Sequence, residues 1–597
     1  MSSSASKMMA ATTAIGVKGS DVYTAAGVQD ERVALSALLN RGVSAQTIKP
    51  LIDAIIEKDE SNQLEDLFVL AFQTRDIRGG KGEREAFRLF YDALLANPKT
   101  CYIAMDLLDL VPEYGSWRDL FIEAVVPSLP YQSEPEMRER IVEIVKAQWQ
   151  KDQKAATQEK PVSLMAKWMP RENRNKYLAG LLAGRLFPSA TGPTQYSSQM
   201  RLYRKAVASL NRHIQTTEIA MSGGEWETIE PSKVPGRCLQ KHIKAFLNEV
   251  GTTKKGQQAP RDHPLRHPDN QDRMDCRQHF QEHFAKAATG EEGAKVNGSK
   301  TVFPHELVRK AESLIADESA IDERNAILAV WRQMVADAKA GGGLGRSIAM
   351  CDFSGSMSTS GNNNELPFWV SMALGLLIAE ATTEEFQNTF LTFDSQPTMH
   401  TMRAEDDLFE RIKSIGRLGQ GLSTDFQKAM DLVLSQLKAK RCRPGQEPEN
   451  LIVLTDMNWD QACGSDRQSA YTGYGSYRNV VKTAPWQTHV EMIREAFKRA
   501  GEDMWGEGQG LKMPRIVIWN IASTTTDFHA QADTEGVAML SGWSPSLFKA
   551  LQTEGPDGVK PMTPMEMLRA QLDVERYDQV ILRVRAAMGC DMPLLTR

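Results

Sequence analysis

The chain has 597 residues, 41% hydrophobic and 25% charged, with a net charge of −5. It is too long for one hydrophobic core, so several domains are expected. No apolar run of about 18 residues is available to cross a membrane, so no membrane partner is expected. The first residues also lack the continuous apolar segment of a secretion signal.

The near-neutral total carries no overall nucleic-acid signature, but it hides a gradient. Residues 51–150 hold 11 basic against 19 acidic residues, 151–300 hold 25 against 15, and 341 onward hold 25 against 32. The basic middle is either an anion-binding surface or a solvated face with a basic loop. Seven cysteines are scattered without paired spacing. That pattern points to free thiols in a reducing compartment, the cytoplasm or the nucleus.

In chain order, residues 1–28 are rich in Ser, Ala, Thr and Gly and read as a flexible leader. From residue 33 the periodicity is helical. Ile48, Leu51, Ile52, Ile55 and Ile56 fall on one helical stripe, as do Leu64, Leu67, Phe68, Ala71 and Phe72, and then Phe87, Phe90, Tyr91, Leu94 and Leu95. Further helices are expected at 102–110, 117–125, 137–149, 162–168 and 304–339. A succession of short amphipathic helices with little strand signal predicts an all-α, HEAT-like stacked array over 29–340. A polar insert at about 251–300 interrupts it. The Cys276-x2-His279-x3-His283 spacing inside that insert has no second cysteine pair, so it reads as the polar face of a helix rather than a zinc site.

Two basic groups stand out in the array. The first is the loop Arg75-Asp-Ile-Arg78-Gly-Gly-Lys81-Gly-Glu-Arg84. No Ser or Thr follows Lys81 and no strand precedes the loop, so it is not a P-loop. Its cations either contact phosphate or pair with Asp76 and Glu83. The second group includes Lys167, Arg171, Arg174, Arg204 and Lys205, interspersed with Trp168, Tyr177, Tyr196 and Tyr203. Cations among aromatics can hold phosphates and stack bases, although such aromatics often pack helices instead.

From 341 to 597 strands alternate with helices. Strands are predicted at 347–352, 389–393, 398–402, 451–454, 515–521 and 536–540. Helices are predicted at 366–381, 406–415, 424–437, 488–500, 545–551 and 564–572, the last with a Thr563/Glu566 capping box. Buried apolar strands alternating with helices predict a doubly wound, mostly parallel α/β sheet. Ligands of such sheets bind beyond the carboxyl ends of the strands. Asp352-x-Ser354-x-Ser356 follows one strand and Asp456 ends another, while Thr424 opens a helix. Oxygen-only ligands of this kind suit Mg²⁺, Mn²⁺ or Ca²⁺ and not zinc.

The order Asp-x-Ser-x-Ser, then Thr before a helix, then an apolar strand ending Thr-Asp resembles the metal-ion-dependent adhesion site of von Willebrand factor A domains. The resemblance implies that Ser354, Ser356 and Thr424 coordinate Mg²⁺, with Asp352 and Asp456 acting directly or through water. It also implies that water or a partner's carboxylate completes the sphere. The family's Asp is usually followed by Gly; here Met457 follows.

A wider resemblance rests on the stretch from Phe68 to Arg84, on Val111-Pro-Glu-Tyr-Gly-Ser-Trp-Arg-Asp-Leu120 and on Ser163-Leu-Met-Ala-Lys-Trp-Met-Pro170. Pro304-His-Glu-Leu-Val308, Asp456-Met-Asn-Trp459, Ile518-Trp-Asn-Ile521 and Ser541-Gly-Trp-Ser544 complete it. Together they look like an uncharacterised family joining a TROVE-like helical module to a von Willebrand factor A-like domain, distantly similar to the Ro RNA-binding proteins. The resemblance implies a noncatalytic ribonucleoprotein scaffold with noncoding RNA as partner. The alternative is an assembly module whose metal site takes an acidic residue of a protein partner, without RNA. No general base stands beside the Asp352 motif, so an enzyme is not expected.

Overall fold

The computed structural model describes residues 13–15, 21–58, 60–123, 135–190, 192, 194–250, 265–291, 293–299, 301–317, 319–340, 344–358, 366–383, 385–393, 396–416, 426–457, 486–522, 528–551 and 562–589. Two compact units emerge. One comprises Met1–Lys58, Pro304–Ile315 and Val335–Val574; the other comprises Asp59–Phe303, Ala316–Met334 and Glu575–Arg597.

The first unit is built on a sheet. Strands β1 (Thr13–Ile15) and β2 (Asp21–Tyr23) form a small antiparallel pair. The main sheet contains β3 (Ser347–Asp352), β4 (Thr389–Phe393), β5 (Met399–Thr401), β6 (Asn450–Thr455), β7 (Arg515–Asn520) and β8 (Val537–Ser541), in the order β5-β4-β3-β6-β7-β8. All neighbours are parallel except the edge strand β5, which runs antiparallel to β4.

Every residue of β3, β4, β6, β7 and β8 is buried. This is why β3, β6, β7 and β8 read as largely continuous apolar runs rather than alternating ones. The helix Pro367–Ala381 packs on β3, β4 and β6. Gly375 permits that approach, since a Cβ there would lie 2.3 Å from the Cys351 sulfur. The expected capping box of Pro564–Leu572 is present, with Thr563 and Glu566 bonding each other's backbone amides.

The described part of the leader is not a free tail. Tyr23 and Phe528 exchange backbone hydrogen bonds of 2.8 and 3.2 Å, and the Ala532 amide donates to the Val28 carbonyl at 2.9 Å. The helix Glu31–Leu38 packs on β8 and on Pro564–Leu572. It seats through reciprocal amides: Asn40 Nδ2 donates to the Asn520 carbonyl (3.0 Å) and Asn520 Nδ2 to the Ala37 carbonyl (3.1 Å). The Ser541 hydroxyl lies within hydrogen-bonding distance of the Ser36 and Leu39 carbonyls. Buried backbone carbonyls need such partners, and the polar ends of β7 and β8 supply them. The chain's own helix therefore occupies the carboxyl ends of these two strands.

Among its described residues the second unit is built of helices, with one isolated bridge between Glu249 and Leu265. Its helices include Ser61–Arg75, Arg84–Ala96, Pro135–Thr157, Lys176–Leu186, Gln195–Ile214, Gly236–Phe246 and Gln271–Thr289. The last of these lies inside the expected 251–300 insert, which is thus partly regular helix. The helix Asp578–Ala587 packs along Ser61–Arg75. The expected contiguous halves, 29–340 and 341–597, are therefore not the compact units: 29–58 belongs with the sheet, and 575 onward belongs with the helices.

Candidate functional site

Strands β3 and β6 are neighbours in the middle of the sheet, and the chain winds outward from them in opposite directions. Such a reversal leaves a crevice beyond the strand ends. Asp352 closes β3, Thr455 closes β6 and Asp456 is the residue after it. Asp352, Ser354 and Thr455 are fully buried and Asp456 is 1% exposed.

Asp352 is held at both oxygens. Its Oδ1 accepts from the Ser354 amide (2.8 Å) and its Oδ2 from the Thr455 hydroxyl (3.2 Å). The first bond turns the chain after β3 so that Ser354 and Ser356 converge, their hydroxyl oxygens 3.0 Å apart. Ser356 is half-buried and Gly355 is exposed, so the serine end of the cluster meets solvent.

Among the described residues no group of three or more His, Cys, Asp or Glu side chains could hold a metal. A cation site here must draw on hydroxyls, and the converging serines next to the buried Asp352, with Asp456 past the end of the adjacent strand, are donors of that kind. The residues present fit a hard divalent cation. Thr424 lies outside the described residues.

Met457, which follows Asp456, adopts the backbone conformation that glycine would favour, with φ of +68°. Both of its peptide groups are pinned. Its amide donates to Thr455 Oγ1 (3.1 Å), and its carbonyl accepts from His529 Nε2 (3.0 Å). His529 is 3% exposed. Burial pushes its pKa down from 6.5 to about 4, against a small opposing effect of its bond to Met457. The imidazole is therefore neutral at pH 7, with its Nε2 proton on the carbonyl. Nothing in the sequence around His529 marks this role, because its partner lies 72 positions away.

The basic loop is largely structural. Arg75 is 3% exposed and donates to Asp119 at 2.8 Å, while Arg84 meets the other Asp119 oxygen at 3.1 Å. Lys81 is fully buried, and burial lowers its pKa to about 7 despite the opposing Glu83 charge. The loop folds back on the helix before it: the Lys81 amide donates to the Gln73 carbonyl at 3.0 Å. A Cβ at Gly80 would lie 1.9 Å from that carbonyl oxygen, so only glycine fits. Arg75 and Lys81 are therefore corrected from phosphate contacts to core residues. Arg78 alone among these cations is well exposed, in a loose 3.5 Å pair with Glu113.

The second basic group is mostly a surface. Lys167 pairs with Glu218 at 3.2 Å, and Arg204 pairs with Glu172. Arg171, Arg174, Lys176, Arg201 and Lys205 are exposed. Tyr177 and Tyr196 are 47% and 44% exposed, and they line a shallow depression with Lys176, Gly180 and Leu181. Tyr203 differs: it is buried, and its hydroxyl donates to the Pro170 carbonyl at 2.8 Å. In the insert, Cys276 is buried and His283 bonds the Lys295 carbonyl, as a helix face would.

Residues 346–572 match the domain of unknown function DUF7788. That span coincides closely with the sheet-bearing segment from Val335 to Val574. Over 510 residues the chain is 26% identical to Uncharacterized protein L728 of Acanthamoeba polyphaga mimivirus, covering 84% of this chain and 77% of that protein. The expected likeness to an uncharacterised family is met by these two findings. The crystal structure of the Deinococcus radiodurans RO (RSR) protein is also similar, at 12% identity and a TM-score of 0.40, covering 88% of this chain and 99% of that one.

Proposed function

We propose that this protein is a noncatalytic RNA-binding scaffold whose sheet unit carries a Mg²⁺-dependent ligand site. The observation that carries the RNA reading is the exposed cation–tyrosine surface on the helices Lys176–Leu186 and Gln195–Ile214 and the turn before them. Among the described residues Arg171, Arg174, Lys176, Arg201 and Lys205 form no ion pair, so their charge is available to phosphates. Tyr177 and Tyr196 offer exposed rings beside Lys176. Together these supply the two elements of single-strand recognition, backbone attraction and base stacking.

The cation site is a binding device in this reading. Ser354, Ser356, Asp352 and Asp456 would hold Mg²⁺, or Mn²⁺ or Ca²⁺, and Thr424 is assigned to the same set from its motif. A cation held there offers an open position to a carboxylate or phosphate oxygen. The neighbouring His529 is neutral, buried and bonded to a backbone carbonyl, so it is not poised to exchange protons with a substrate.

A second reading, protein assembly through the metal site, is favoured by the solvent-facing serine end of the cluster. There an acidic side chain of a partner would complete the coordination sphere.

Fluorescence anisotropy with a labelled single-stranded RNA separates the two readings. RNA binding should weaken steeply between about 50 and 200 mM salt, because phosphate contacts release counterions. It should drop at least tenfold in Arg171→Glu/Arg174→Glu. No binding at low salt, together with a partner complex that resists nuclease and dissolves in EDTA, would transfer the assignment to the assembly reading.

A further inference from the structure

We propose that His529 is the positioning residue of the cation site, and that its bond to the Met457 carbonyl holds the left-handed turn that aims Asp456. This inference rests on the cation site proposed above. A residue with a Cβ resists positive φ, whereas glycine adopts it freely. Met457 is nevertheless at +68°. Strained backbone of this kind persists only where its surroundings over-determine it, and it concentrates at functional sites.

The surroundings here are specific. On one side, the Met457 amide is held by the Thr455 hydroxyl, which itself donates to Asp352 Oδ2. On the other side, the Met457 carbonyl is held by His529. An unbroken hydrogen-bonded line therefore runs from His529 through Met457 and Thr455 to Asp352, and Asp456 sits inside it. His529 is fixed in turn by its predecessor: Phe528 exchanges two backbone bonds with Tyr23 of β2. The N-terminal strand thus anchors the residue that anchors the turn. The usual Asp-Gly sequence needs no such support. The departure to Met457 and the buried imidazole belong together as one compensated arrangement.

The test is Mn²⁺ affinity, read by electron paramagnetic resonance of free Mn²⁺ in titrations of the full chain. His529→Leu, which removes the donor, should weaken Mn²⁺ binding at least tenfold. His529→Gln places an N–H near the same point and should recover most of that loss. The decisive comparison uses Met457→Gly as background. Glycine takes the turn unaided, so adding His529→Leu there should cost less than threefold relative to Met457→Gly alone.

A tenfold loss in both backgrounds would overturn the inference, since a general structural role moves both alike. Unchanged affinity in His529→Leu would overturn it too, while leaving the cation site standing. If wild type and Asp352→Ala bind Mn²⁺ equally weakly, the cation site fails and this inference falls with it. Should His529→Leu not fold, a His529→Gln variant with affinity more than tenfold below wild type would count equally against it.

Discussion

Arg576 grips Asp76 with two parallel hydrogen bonds, Nε to Oδ2 at 2.5 Å and Nη2 to Oδ1 at 2.8 Å, across 500 positions of sequence. Asp76 is fully buried, and it also accepts from the Tyr577 hydroxyl at 3.1 Å. The same Asp76 sits in the basic loop, so the loop's conformation and the docking of the C-terminal helix share one carboxylate. Tyr114 adds a bond from its hydroxyl to the Arg576 carbonyl at 2.8 Å.

Removing Arg576 leaves that buried carboxylate without its counter-ion. Arg576→Ala should destabilise the helical unit by about 3–5 kcal/mol. Arg576→Lys should recover little, because an ammonium cannot reproduce the two-point geometry. Denaturant unfolding followed by helical circular dichroism measures both. A loss below about 1 kcal/mol in Arg576→Ala would show that the pair is dispensable.

Arg75 gives a contrasting case. It and Arg84 share the nearly inaccessible Asp119. Arg75→Ala should lower stability by about 3–5 kcal/mol for the same reason, while the folded protein keeps its affinity for single-stranded RNA. Anisotropy below the unfolding transition checks this. An RNA affinity that falls as far as in Arg171→Glu/Arg174→Glu would return the basic loop to the binding surface.

The N-terminal helix makes a third expectation. The Asn520 side chain donates to the Ala37 carbonyl and accepts from the Ala522 amide at 3.0 Å. Asn520→Ala orphans both buried groups and should cost about 2 kcal/mol. Hydrogen exchange should show amides 31–38 losing protection ahead of β6 and β7. Unchanged protection across 31–38 would mean that the helix is held by apolar contact alone.

Acid should loosen the sheet unit before most carboxylates titrate. His529 is neutral in the folded state down to about pH 4, whereas an unfolded histidine takes its proton near 6.5. Above 6.5 neither state binds the proton, so His529 contributes no pH dependence. Between 6.5 and 4 the unfolded state binds more protons, and stability falls as pH falls, by up to about 3 kcal/mol in all. In His529→Gln that component should vanish. Urea midpoints at pH 7 and pH 5 for the two proteins provide the measurement; equal pH slopes would contradict the assignment of this component to His529.

These relationships differ in how far the sequence discloses them. β3, β6 and β7 are legible because strands buried on both faces are unbroken apolar runs, and Asp352 and Asp456 are legible as the polar residues that end two of them. The serine pair follows from its spacing of two. Asp76 and Arg576 are each visible as charges, but nothing local says that they meet. The same holds for His529 and Met457. Glu31–Leu38 belongs to the helical pattern, yet its periodicity does not reveal that its buried stripe is covered by the sheet unit. Periodicity reports that a residue is buried and by which element type; it does not report by which partner. For the basic loop, composition suggests a surface, whereas Asp119 and burial make Arg75 and Lys81 internal.

The cation site at the ends of β3 and β6 is the claim on which the ligand chemistry depends. Its most direct test is the stoichiometry of Mn²⁺ bound to the purified full chain, by equilibrium dialysis and elemental analysis, for wild type, Asp352→Ala and Ser354→Ala/Ser356→Ala. About one equivalent should bind to wild type and be displaced by excess Mg²⁺, with both variants losing it while retaining their circular dichroism. Wild type that retains no more Mn²⁺ than Asp352→Ala would contradict the site.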